Sequence, residues 1–147
     1  MTVPGQPAPI SRGPLAITTA LTGVVGVGII AQGLIAGLFL DGSGHQRAID
    51  AHEMLGPLLV LVSLAAAMVS SLQLRGSASG QKVSHATLGL AAALTIEVVL
   101  GFISSDHPAL LAVHIPVAIG MFGFFIRTSS ALRSLRSPAR GDEGGRS

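Results

Sequence analysis

Four long apolar stretches dominate the chain, and short segments rich in glycine, serine and charge separate them. They cover about residues 15–40, 51–74, 84–104 and 108–128. A helix rises about 1.5 Å per residue, so each stretch is long enough to cross a hydrocarbon core of about 30 Å. The first stretch is also longer than the roughly 7–15 apolar residues of a signal-peptide core, so it is expected to stay in the membrane. The pattern predicts four transmembrane helices.

The connections between these stretches are short, which makes neighbouring helices antiparallel. Helices satisfy their own backbone hydrogen bonds in lipid, whereas an open sheet does not. The predicted fold class is therefore all-α: an integral membrane, up-down four-helix bundle over residues 14–130. Residues 1–13 are predicted to be a disordered leader, and residues 131–147 a disordered basic tail.

Composition and charge support a membrane location. The chain is 49% hydrophobic and 11% charged, whereas soluble domains carry about 25% charged residues. Arg47 is the only basic residue between the first two stretches or the last two, and the other lysines and arginines share the side of the termini. Basic residues favour the cytoplasmic side, so we expect a multi-pass protein of the cell membrane with both termini in the cytoplasm. The arginines near the C-terminus have no aromatic neighbours, so a nucleic-acid partner is not expected.

The absence of cysteine narrows the chemistry. It excludes disulfides, thiolate metal sites, iron–sulfur clusters and covalently attached haem. Any cofactor must be held by histidine, methionine, carboxylate or packing.

Ionisable side chains inside the predicted spans are costly in lipid and therefore candidate functional residues. His52 and His114 lie at similar depth, near the outer ends of the second and fourth helices. These helices run in the same direction and sit diagonally in a four-helix bundle, so two imidazoles can approach one haem iron from opposite faces. Gly56 and Ala118, each four residues further on, leave room for a flat ring. Alternatively, the two histidines only form hydrogen bonds between helices.

Two other residues extend this candidate site. Arg47 is a candidate partner for the haem propionates, although it is also consistent with an ordinary exposed residue. Glu97, within the third span, is a candidate proton relay. Its alternative role is a neutral acid that forms a hydrogen bond with a neighbouring helix, for example with Gln32.

The segments Asp50-Ala51-His52-Glu53 and Leu111-Ala112-Val113-His114 resemble the corresponding parts of one half of the haem A synthase fold. More loosely, the layout is similar to four-helix membrane b-type cytochromes. The resemblance covers about residues 15–130 and implies that His52 and His114 are axial ligands, with Glu53 near the external acidic position of the family. The synthase has two such bundles in one chain and this sequence has one. The resemblance therefore implies haem binding more than haem hydroxylation.

The first hypothesis is a membrane protein that holds one non-covalent haem b near its external side and passes electrons to or from a membrane redox partner or a quinone. Two axial ligands leave no open iron position, which argues against oxygen chemistry, and the sequence leaves open whether the protein is an enzyme. A second hypothesis is an accessory or assembly subunit of a larger membrane complex, because the stripe of Gly26, Gly33 and Gly37 allows close helix contact. A third is proton or small-solute conduction involving Glu97.

Overall fold

The computed structural model describes residues 12–39 and 46–136, and within them the chain is helical with no strand. The elements are α1 (Arg12–Gly37), α2 (Gln46–Gln73), α3 (Ala78–Asp106), a 3-10 turn (Pro108–Leu110) and α4 (Leu111–Arg136). All four helices are long and apolar enough to cross a membrane. The all-α class and the four candidate spans predicted from sequence are confirmed.

Most helix ends extend further than the apolar stretches indicate, but α1 ends at Gly37 and not at residue 40. The α3 helix begins at Ala78 rather than at residue 84, because the Ser77 side chain accepts a hydrogen bond from the Gly80 amide and caps the helix. The α4 helix continues to Arg136, so residues 131–136 belong to it and not to a disordered tail. Leu132 is buried against Leu74, which follows the last residue of α2, and Val83, near the start of α3, and this burial stabilises the extension. Residues 12 and 13 likewise belong to α1, whereas the predicted leader and tail otherwise lie outside the described residues.

Each helix packs against the next one in the chain, and α1 and α4 close the ring with the smallest of the four interfaces. The second and fourth helices therefore lie diagonally, as the predicted bundle requires. We call the half of the bundle near the α1–α2 and α3–α4 connections the upper half. The lower half contains the α2–α3 connection, the start of α1 and the end of α4.

Two kinds of packing hold the bundle together. A middle layer of apolar side chains consists of Val25, Ile29, Leu59, Leu90, Leu94 and Met121. In the lower half, hydroxyl groups link the helices: Ser70 and Thr87 share a hydrogen bond of 2.7 Å, and Thr128 donates to the carbonyl of Ala86 at 3.1 Å. Because lipid tails are as apolar as leucine, close packing and hydrogen bonds of this kind drive helix association in membranes.

The glycine stripe of α1 divides into two parts. A Cβ on Gly26 would overlap the ring of Phe125, so this glycine permits close contact between α1 and α4. Gly33 and Gly37 have no neighbouring atom within 4 Å of a Cβ position. Among residues 12–39 and 46–136, the Gly33–Gly37 pair therefore makes no close helix contact, although its spacing allows one.

Candidate functional site

A cavity of about 610 Å³ lies in the upper half, and all four helices contribute to its wall. The wall includes five of the residues selected from the sequence: His52, Gly56, Glu97, His114 and Ala118. The helix periodicity explains this convergence, because His52–Gly56 and His114–Ala118 are each one helical turn apart on the same helix face.

The sixth selected residue, Arg47, lies elsewhere. It is exposed on the first turn of α2 and is not part of the cavity wall. It shares the upper end of the bundle with the cavity, six residues before Glu53, which does line the cavity. Any contact between Arg47 and a ligand would therefore occur outside the cavity.

The floor of the cavity is apolar. Ile29, Leu59, Leu94 and Met121 line the cavity and also belong to the buried middle layer. Below them begins the lower half, with its hydrogen-bonded hydroxyls. The site is thus closed toward the lower half by side chains that offer no hydrogen bonds to water.

His114 is held from α3. Its Nδ1 lies 3.0 Å from Oε1 of Glu97, and the two side chains are 17% and 7% exposed. The angles do not meet those of a hydrogen bond, so both atoms keep unused hydrogen-bonding capacity. Gly101, one turn after Glu97, gives the ring its space, because a Cβ there would come within 3.3 Å of Cε1 of His114.

His52 is held from α1. The ring of Phe39 meets the imidazole edge-on, with centroids 5.4 Å apart and planes at 75°. The Gln32 amide donates a hydrogen bond to the backbone carbonyl of His52 at 3.1 Å. Gly56 lets α1 and α3 pack closely against α2. A Cβ at this position would lie 3.1 Å from Val98 on α3 and 3.2 Å from the Gln32 amide on α1.

The two imidazoles present equivalent nitrogens. In both rings Nδ1 is buried without a hydrogen-bond partner, and both side chains line the cavity.

The structure corrects one expected contact. Glu97 faces His114, not Gln32, whose amide is directed to the backbone of His52 instead. Hydropathy gives the depth of each side chain, but pairing depends on how the helices are rotated. Sequence reasoning also did not identify Phe39, Gln32 and Gly101 as supports of the two imidazoles. The signal for Gly101 was its position four residues after Glu97, on the same helix face.

The remaining histidines in the described part of the chain are not in the cavity wall: His85 is exposed on α3, and His107 is exposed at its C-terminus. Residues 12–39 and 46–136 contain no group of three or more His, Cys, Asp or Glu side chains that could hold a metal ion. The chain matches no protein-family model, and no curated protein or solved structure shows significant similarity to it.

Proposed function

We propose that this chain is a membrane protein that binds one haem b between His52 and His114 and transfers electrons through it. The observation that carries the proposal is that imidazoles from diagonal helices line one cavity, each with Nδ1 buried, so that Nε2 would be the ligating nitrogen. Ligating histidines characteristically direct their second ring nitrogen to a carboxylate or a backbone carbonyl. The carboxylate of Glu97 lies beside Nδ1 of His114.

The residues present fit such a group. The volume of about 610 Å³ lies within the range of roughly 300–1,000 Å³ that is typical of cofactor and ligand sites. The porphyrin supplies four nitrogens to its iron, so two protein ligands complete the coordination and a cluster of three or more ligating side chains is not needed. Bound haem would supply one-electron redox chemistry.

The protein residues would bind the haem, orient its two histidine ligands and shield it from water. Glu97 and Gly101 fix the position of His114, while Gln32 and Phe39 fix that of His52. The apolar floor keeps water from entering through the lower half. A low local polarity is one of the means by which a protein sets a haem potential.

We assign the two haem propionates to the upper end of the bundle. No lysine or arginine is among the cavity-lining residues of the described chain, so the propionates would have to extend beyond the cavity to reach a cationic side chain. Arg47 is exposed at that end and is the proposed partner. The charge distribution of the sequence favours the external side for this end.

The test is the absorption and electron paramagnetic resonance spectra of protein purified from haem-replete cells. We expect a reducible low-spin haem that is lost in His52→Ala and in His114→Ala. His85→Ala is the matched control, because this histidine is exposed and outside the cavity wall, and the variant should keep the full signal. A folded but colourless natural protein would exclude the proposal.

The structure supports the two other hypotheses, conduction through Glu97 and an accessory subunit, to different degrees. Conduction through Glu97 is disfavoured, because the buried apolar layer separates the cavity from the lower half. The accessory-subunit hypothesis is favoured by Gly37, which is exposed and has no atom of the described residues within 4 Å of a Cβ position. Gly37→Leu tests it better than a change at Gly33, which also lines the cavity. Loss of a co-purifying membrane partner would support it, and unchanged co-purification would oppose it.

A further inference from the structure

We infer that the cavity exchanges its occupant with the bilayer, through an opening between the upper halves of α1 and α4. Its ligand would then be a flat amphiphile dissolved in lipid, such as a porphyrin, and not a molecule taken up from water. This inference rests on the proposed membrane location and haem site, and it adds the route by which the site is filled.

Three of the four seams around the cavity are closed by contacts at its own level. Gln32 and His52 join α1 to α2. Gly56 and Val98 bring α2 and α3 together. Glu97 and His114 join α3 to α4.

The fourth seam, between α1 and α4, is joined lower down. Gly26 meets the ring of Phe125, and Leu15 packs into the lowest apolar cluster around Leu132. Gly33 lies seven residues above Gly26, and Ile119 lies six residues above Phe125, which corresponds to about 10 Å and 9 Å along the two helices. Gly33 and Ile119 therefore lie at about the same height in the bundle, well above the Gly26–Phe125 contact.

At that level, residues of both helices are exposed and line the cavity at once. Gly33 is exposed with nothing within 4 Å of a Cβ position, and Ile119 is 67% exposed. Both belong to the cavity wall, as do the exposed Ile115 and Phe122. A residue that both lines the cavity and faces outward lies at an opening. Glu53, Phe102 and Ser105 on α2 and α3 also meet this description, but the seams beside them are closed by the contacts above. We therefore call the part between α1 and α4 the mouth.

The mouth is uncharged. Its α1 side consists of Gly33 and Ala36, and its α4 side of Ile115, Ile119 and Phe122. It lies on the flank of helices that are apolar enough to cross a membrane. Within a bilayer such a flank faces acyl chains, which dissolve a porphyrin ring better than water does.

The experiment measures the rate at which porphyrin passes from lipid vesicles into the full chain held in proteoliposomes. Two probes are used: haemin, and iron-free protoporphyrin IX, which requires no axial histidine. Ile119→Trp narrows the mouth and Ile119→Ala widens it. Ile126 provides the matched control, because it lies seven residues away on the same helix, is 58% exposed and is not part of the cavity wall.

We expect Ile119→Trp to slow both uptake and release, and Ile119→Ala to speed both. A passage made harder by about 1.4 kcal/mol would slow both rates about tenfold. Ile126→Trp and Ile126→Ala should behave as the natural chain. Equal rates in all four variants would overturn the inference. A change confined to the release rate would also overturn it, because that reports altered affinity and not altered passage, as would uptake that does not depend on vesicle concentration. If Ile119→Trp fails to fold, the acceleration expected for Ile119→Ala still decides.

The two proposals fail separately. If protoporphyrin enters at rates that depend on residue 119 while haemin gives no low-spin spectrum, haem ligation is excluded and the lateral opening stands. If a low-spin spectrum forms at rates that do not depend on residue 119, the opening is excluded and the haem site stands. If neither porphyrin enters, both are excluded.

Discussion

Replacing Glu97 with leucine is the most direct test of how the cavity holds His114. The change removes the carboxylate that lies 3.0 Å from Nδ1 and leaves an apolar side chain of similar length. Both groups are largely shielded from solvent, at 17% and 7% exposure, so screening reduces the effect little. Nδ1 and Oε1 lie within hydrogen-bond distance but without hydrogen-bond angles, and such contacts tighten when a ligand binds. A buried hydrogen bond to a charged group then contributes about 1.5–3 kcal/mol, which corresponds to about 10- to 150-fold in affinity. Loss of a residue that supports a metal ligand typically costs roughly 10- to 100-fold.

The assay is haemin titration into the haem-free protein, followed by its absorption, together with a redox titration of the haem. Glu97→Leu should weaken binding by about 10- to 100-fold, and Glu97→Gln by less, because its amide oxygen still accepts a hydrogen bond. The midpoint potential should rise in Glu97→Leu, because a carboxylate beside the imidazole makes the ligand more basic and favours ferric iron. A merely structural role for Glu97 would not move the potential.

Glu53→Gln is the control for loss of a carboxylate. Glu53 also lines the cavity and adjoins His52, but it is exposed, and its removal should change haemin affinity by less than about fivefold, since an exposed charge pair contributes about 0–1 kcal/mol. If Glu97→Leu binds haemin as tightly as the natural protein, Glu97 does not support His114. The same conclusion follows if Glu53→Gln weakens binding as much as Glu97→Leu does.

Two further predictions concern the lower half. Gly26→Ala should lower the free energy of unfolding by about 1–3 kcal/mol, because the new methyl group overlaps the Phe125 ring; Gly23→Ala, which meets nothing within 4 Å, should not, and equal thermal unfolding of both variants in detergent would contradict the packing described. A double-mutant cycle with Ser70→Ala and Thr87→Val should give a coupling of about 0.6 kcal/mol, the average for hydrogen bonds between membrane helices. Strictly additive single effects would show that the 2.7 Å contact contributes nothing.

The fold class and the four candidate spans were predictable from the apolar pattern of the sequence. A long apolar stretch without charge has few alternatives to a spanning helix, and short connections then determine the topology. The helix ends were less predictable, because hydropathy reports apolar surface and not helical geometry. Capping by Ser77 and burial of Leu132 extend α3 and α4 beyond the apolar stretches, and neither effect raises the mean hydropathy.

The site was predictable only in part. His52, His114 and Glu97 stood out because ionisable groups are costly in lipid, and their depth follows from counting residues along each helix. Their pairing did not follow, because it depends on the rotation of α3 and α4 about their axes. The opening between α1 and α4 was also outside the reach of the sequence, since the glycine stripe predicts close contact along its whole length, whereas only Gly26 makes it.

The middle apolar layer also has a consequence for maturation of the protein. It separates the hydroxyl pairs of the lower half from the cavity above, while the Gly26–Phe125 contact belongs to the layer itself. The packing of the lower half therefore does not depend on what the cavity holds. If the cavity binds a prosthetic group as proposed, this half would already be assembled in the empty protein, and loading would follow as a separate event.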